Sequence, residues 1–248
     1  MGTRSRRVQR QWQRNVALAA LIVAVIALVV YTLTRGSVSA AQLAANSRVD
    51  AKAKLAMTPP TEAALPQVAF LGDSYTEGDG ATSPSKRWST LLSASRHWDE
   101  RNFGHAGSGY INPGLTGDGQ GSYSSRIGNL AATVPTIVIV AGGQNDASVS
   151  GDVSTAVANT FAALRKQLPK ARIIAVGPTW PGSSPPQRIT DVDAAVAAAA
   201  KANDAQYVRG LDWLADPTGL MIADGTHPND KGYALIAKHI NAAIPASL

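Results

Sequence analysis

The chain contains no cysteine. Disulfides, thiolate metal sites and a cysteine nucleophile are therefore excluded, while the compartment is left undecided. No histidine or carboxylate spacing typical of a metal site occurs. No glycine-rich loop closed by a lysine is present to cradle a phosphate. The sequence thus predicts no metal and no cofactor. Internal repeats are also missing. Acidic residues are absent from the first 35 positions, where six arginines stand (Arg4, Arg6, Arg7, Arg10, Arg14 and Arg35). The rest of the chain carries 17 basic residues against 17 acidic ones, so the net charge of +6 belongs to this N-terminal stretch alone. A nucleic-acid partner would need a basic patch on the folded domain, and none is predicted.

What is there begins with Val16 to Leu33, which is apolar and uncharged. As a helix it would span about 27 Å, close to the hydrocarbon thickness of a bilayer. It is apolar on every face, which argues against a buried core helix. Five of the arginines precede it, so the N-terminus is expected to stay in the cytoplasm and the remainder to cross. Cleavage after Val38-Ser39-Ala40 is the alternative, and would release a secreted chain starting at Ala41. The predicted organisation is a basic tail over 1–15, a membrane anchor or signal sequence over 16–34, a linker over 35–65, and one domain over 66–248. The linker is Ala-rich and polar and contains Thr58-Pro59-Pro60-Thr61.

From Gln67 onward, short apolar runs alternate with helical patterns. Strands are predicted at 67–71, 98–103, 136–140, 172–176 and 206–208. The second is polar and reads as an edge strand. Helices are predicted at 86–95, around Val153 to Leu168, around Ile189 to Ala199, and at 230–243, with Asp152 as a cap. This alternation implies an α/β class with a parallel five-stranded sheet. A flavodoxin-like order 2-1-3-4-5 places the crevice between strands one and three. Strand one ends at Gly72-Asp73-Ser74-Tyr75-Thr76-Glu77-Gly78. Strand three ends at Gly143-Gln144-Asn145-Asp146. The topology therefore predicts that Ser74 and Asn145 meet.

Two further blocks complete a set. Asn102-Phe103-Gly104-His105-Ala106-Gly107 lies between these two, and Asp224-Gly225-Thr226-His227-Pro228 lies near the C-terminus. In these four ordered blocks the chain resembles the SGNH hydrolases, the GDSL esterase/lipase family, over roughly residues 66–248. The matching positions are Ser74, Gly107, Asn145 and His227, with Asp224 three residues before the histidine. The resemblance implies a three-layer α/β/α fold and ester hydrolysis.

Chemically, the Ser74 hydroxyl needs a base, and His227 is the well-placed one. Asp224 would hold the second ring nitrogen. The resemblance assigns the oxyanion donors to the N–H groups of Ser74 and Gly107 and the Asn145 amide, with Gly104 as a competitor for Gly107. Asp73 and Asp146 are expected to brace loops. His105 is either a substrate contact or loop surface. His97 and His239 are expected on helix surfaces, and Trp88, Trp98 and Trp213 in packing. Trp180 and Tyr110 are expected to face substrate, as is the Gly- and Ser-rich loop from Gly107 to Ser125. An α/β-hydrolase is excluded because Thr76 stands where a Gly-x-Ser-x-Gly elbow needs its last glycine. An O-acyltransferase of envelope sugars and a non-catalytic glycan-binding module remain as alternatives. The expected substrate is a glycan, lipid or small-molecule ester outside the membrane.

Overall fold

Strand β1 (Gln67–Gly72) is an interior strand of a five-stranded sheet. The computed structural model describes residues 11–34, 64–114 and 121–246. The sheet adds β2 (Asp99–Gly104), β3 (Ile137–Ala141), β4 (Arg172–Val176) and β5 (Gln206–Val208), in the order β2-β1-β3-β4-β5. Every pairing is parallel, and Gly72 stands level with Gly104 on one side and Ala141 on the other. The order predicted from sequence is the order observed. All three strand ends that carry the blocks therefore point the same way.

Side chains alternate across a strand, and here both faces are covered. Ala69, Leu71, Val138, Val140, Ile173 and Ala175 pack under α4 (Tyr123–Ala132), α5 (Val153–Gln167) and α6 (Gln187–Ala202). Val68, Phe70, Ile137, Ile139, Ile174 and Val176 pack under α3 (Trp88–Arg96) and α7 (Asp230–Ala243). Phe70 meets Trp88 edge-on, with ring centroids 5.3 Å apart. The result is the three-layer α/β/α arrangement. The apolar runs of β1 and β3 follow from burial on both faces.

Strand β2 is the polar edge expected from Asp99 to Asn102. Its pairing is carried by backbone, and Asn102 Nδ2 donates to the carbonyl of Thr76 at 2.7 Å. The third helix starts two residues later than the sequence pattern suggests. Pro84–Lys86 forms a 3-10 turn, and Arg87 is extended before α3 begins. His97 ends it in the left-handed region at φ 54°.

The N-terminal helix α1 (Gln11–Thr34) belongs to a separate unit, which ends at Ala63; the sheet lies in the unit that starts at Ala64. The most apolar 18-residue stretch of α1 has a mean hydropathy of 2.9, and none of it is buried. It is long and apolar enough to cross a membrane. The predicted linker up to residue 63, the cleavage point before Ala41 and residues 115–120 of the Gly/Ser-rich loop lie outside the described residues.

Candidate active site

The chain leaves β1 through Gly72, where a Cβ would collide with Thr76 Oγ1 and the carbonyl oxygen of Ala141. No side chain fits, so the turn needs glycine. Asp73 then caps the short helix α2 (Ser74–Glu77), its Oδ1 accepting from the N–H of Tyr75 at 3.0 Å. Gly78 closes that helix at φ 101°. Ser74 is the first residue of α2, so its N–H has no partner within the helix.

His227 Nε2 lies 3.1 Å from Ser74 Oγ, although the two residues are 153 apart in sequence. His227 Nδ1 is 2.6 Å from Asp224 Oδ2. Asp224 Oδ1 accepts the backbone N–H groups of Thr226 at 2.8 Å and His227 at 2.9 Å. The ring hydrogen bond, followed by the two backbone N–H groups, holds the Asp224 carboxyl down at about 2. This loop is clamped from the Ser74 side. Tyr75, the neighbour of Ser74, donates its hydroxyl to the carbonyl of Thr226 at 2.6 Å. Asn229 caps α7 immediately afterwards, accepting from Lys231 and Gly232.

Asn145 sits on a 3-10 turn, Gln144–Ser148, that follows β3. One N–H of its amide donates to the carbonyl of Ser108 at 2.9 Å. A side-chain amide has two N–H groups, so one remains. Gly107 has φ 72°, and it lines a cleft of about 520 Å³ together with Ser74, Asn145, Gln144, Trp180 and His227. Gly104 has a different job. Its N–H donates to Asn102 Oδ1 at 2.8 Å, and a Cβ there would strike the backbone of Glu77. It packs β2 against α2 and does not face the cleft. The structure thus brings Ser74, Gly107, Asn145, Asp224 and His227 together. Such a set can activate a hydroxyl, hold an imidazolium and donate to a developing oxyanion.

Two buried carboxylates tie the blocks to one another. Asp146 accepts from the N–H groups of Tyr110 and Ile111 at 2.8 Å and of Asn112 at 2.9 Å. Burial nevertheless pushes its pKa up. Asp73 Oδ2 accepts from the Tyr123 hydroxyl at 3.0 Å and, longer, from the N–H of Gly143 at 3.4 Å. The two aspartates brace loops, as the sequence suggests.

Burial raises the Asp73 pKa from 3.8 to about 6, outweighing these donors and the charge of Arg126. Folding therefore takes up a proton at Asp73 between these values. Its contribution to stability is complete below about pH 4 and is lost as pH rises through about 6. Asp73→Asn presents a neutral group at every pH, and its amide can donate to Tyr123 Oη, which turns its own hydrogen to the carbonyl of Ala141. The variant is expected to gain on the parent between pH 4 and pH 7 by up to about 3 kcal/mol. Melting curves of both proteins at the two pH values measure this, and a constant difference between them would contradict it.

Two sequence expectations need correction. Tyr110 does not face substrate. It is 2 % exposed, and its ring lies 4.8 Å from that of Tyr123 and 6.3 Å from Phe161. The three N–H bonds to Asp146 pull its loop under the cleft and turn the ring into the core. His105 is not loop surface either, because it is buried beneath Gly114. Trp88 and Trp98 are packed as expected, and Trp213 stacks on His239 at 5.4 Å. Sequence reasoning missed the clamp by Tyr75 and also Asp79, whose Oδ2 lies 3.9 Å from His227 Nε2. Asp79 is five residues after Ser74, and no spacing rule marks it.

A family model described as GDSL-like lipase/acylhydrolase matches residues 70–235. The GDSL lipase Rv0518 of Mycobacterium tuberculosis is 28% identical over 195 residues, covering 74% of this chain and 84% of its own. Among solved structures, a lipolytic protein of the G-D-S-L family from Veillonella parvula superposes with a TM-score of 0.57 at 22% identity, covering 73% of this chain and 99% of that one. A family two carbohydrate esterase from Clostridium thermocellum, solved with cellohexaose, gives a TM-score of 0.51 at 19% identity, covering 71% and 62%.

Proposed function

Because this chain belongs to the GDSL-like lipase/acylhydrolase family, we propose that it is an extracytoplasmic serine esterase whose nucleophile, base and orienting acid are Ser74, His227 and Asp224. The carrying observation is the continuous chain from Ser74 Oγ through both ring nitrogens of His227 to Asp224 Oδ2, with links of 3.1 and 2.6 Å. Ser74 Oγ attacks the ester carbonyl while its proton passes to His227 Nε2. Asp224 holds Nδ1–H and stabilises the imidazolium. The N–H groups of Ser74 and Gly107 and the remaining N–H of Asn145 donate to the oxyanion. Nε2–H then protonates the departing alcohol, leaving an acyl group on Ser74. Water, deprotonated by the same nitrogen, releases the acid and restores the serine.

A sugar hydroxyl in place of that water would make the enzyme an O-acyltransferase. The full detergent-solubilised chain, given 4-nitrophenyl esters from acetate upward and acetylated sugars, distinguishes the two. Hydrolysis is expected to proceed at an undiminished rate without an added sugar acceptor. Turnover that requires the acceptor would replace hydrolysis with transfer, and inertness toward every ester would leave a binding module.

The location rests on α1 and on the arginines that precede it. A C-terminal alkaline phosphatase fusion is expected to be active in cells. An inactive phosphatase fusion beside an active cytoplasmic reporter would reverse the orientation. A mature chain beginning at Ala41 would make the protein secreted.

A further inference from the structure

Asp79 has no part in the reaction as derived, yet it stands in the cleft. Its main chain is fixed at both ends. The N–H donates to the carbonyl of Ser74 at 3.0 Å, and its carbonyl accepts the hydroxyl of Tyr233. The carboxylate is left to face the opening, 42% exposed, with Oδ2 3.9 Å from His227 Nε2. The position has a chemical meaning because Nε2 is the atom that must protonate the departing alcohol. The ester oxygen on the alcohol side therefore comes within hydrogen-bond distance of Nε2, about 3 Å. A carboxylate beside that same nitrogen faces the alcohol half of the ester. No lysine or arginine lines the cleft among the described residues. Among the residues that line it, the group that can offset the negative charge of Asp79 is the His227 ring, and only once that ring has taken the Ser74 proton.

Resting on the esterase reading above, we propose that Asp79 is a specificity-determining residue that selects the alcohol half of the substrate: an alcohol bearing a free hydroxyl beside the scissile ester, and no negative charge. The hydroxyl donates to the Asp79 carboxylate, which is the stronger kind of hydrogen bond because the acceptor is ionised. An anionic alcohol meets like charge at short range and must shed water without compensation. A neutral polyol ester satisfies both conditions, whereas an ester of an anionic headgroup fails the second.

The test compares acetates that differ only in the alcohol: 2-hydroxyethyl acetate, ethyl acetate and O-acetylglycolate, with 4-nitrophenyl acetate as the activity control. The full chain and its Asp79→Ala and Asp79→Asn variants are assayed at low salt. The parent is expected to prefer 2-hydroxyethyl acetate over ethyl acetate by about tenfold in kcat/KM, and Asp79→Ala to abolish that preference. Asp79→Asn is expected to raise O-acetylglycolate relative to ethyl acetate by a similar factor. Ratios among the three alkyl acetates are the readout because any general effect of removing a carboxylate near the imidazolium acts on them alike and cancels. Ratios unchanged in both variants, with 4-nitrophenyl acetate still hydrolysed, would overturn this proposal and leave the esterase reading standing. A parent chain inert toward 4-nitrophenyl acetate would overturn both. Folding is not at stake, since the bonds that fix residue 79 are made by its backbone.

Discussion

Ser74→Ala should abolish ester turnover and covalent capture by a fluorophosphonate while leaving the fold as it is. Removing a serine nucleophile from a Ser-His-Asp site costs on the order of 10⁶ in kcat, and what survives comes from the oxyanion donors and binding alone. The fold should tolerate the change. One hydroxyl is lost, the helical start at residue 74 suits alanine, and the cap from Asp73 goes to Tyr75. His227 stays in place because Asp224 holds its ring and its N–H, and Tyr75 holds the preceding carbonyl. Mass spectrometry after labelling reads out the result directly. A label that attaches undiminished to the alanine variant would remove Ser74 from the role of nucleophile, whatever the residual rate.

Asn145→Ala is the second large effect. Loss of one oxyanion donor typically lowers kcat by about 10²–10³, and KM should change little because the interaction forms mainly in the transition state. The geometry adds a structural component. The Asn145 amide also holds the carbonyl of Ser108, one residue beyond Gly107, so the substitution loosens the turn that presents the proposed second oxyanion donor. The loss should be limited to about 1 kcal/mol, because other bonds keep the loops joined. The backbone carbonyl of Asn145 still accepts from Asn112 and Ser148, and Asp146 still gathers the three N–H groups of 110–112. A melting curve and single-turnover acylation on one preparation separate the two contributions. A variant that melts early but acylates at the normal rate would make Asn145 a brace alone.

Much of this was legible in the sequence for a definite reason. Each of the four blocks is contiguous, and each follows a strand or precedes a helix whose pattern is local. The apolar runs of β1 and β3 and the alternation of elements imply a parallel α/β sheet, and the flavodoxin-like order taken for it is the one observed. What escaped is what depends on pairs far apart in the chain. Tyr110 lies in a stretch of glycine and serine that reads as surface, but Asp146, 36 residues away, holds its N–H while Tyr123 and Phe161 pack its ring. Tyr75 reaches Thr226 across 151 residues. Asp79 gains its meaning only from where His227 comes to rest. Gly104 and Gly107 could not be told apart by spacing, because the difference is that the Gly104 N–H is taken by Asn102 while Gly107 lines the cleft.

The interior position of β1 bears on how the protein is made. This strand leaves the ribosome before both of its neighbours, and Val68 to Leu71 are completely buried in the finished sheet. Until β2 and β3 have followed, both edges and both faces of that strand are open, which is the condition in which nascent strands associate wrongly. Ser74, the proposed nucleophile, is carried at its end. His227, the proposed base, follows 153 residues later, so a chain that stops before Asp224 carries Ser74 without that partner. On the esterase reading, chains cut short of His227 are expected to be silent toward esters, so the proposed chemistry is acquired only after all five strands of the sheet have been made.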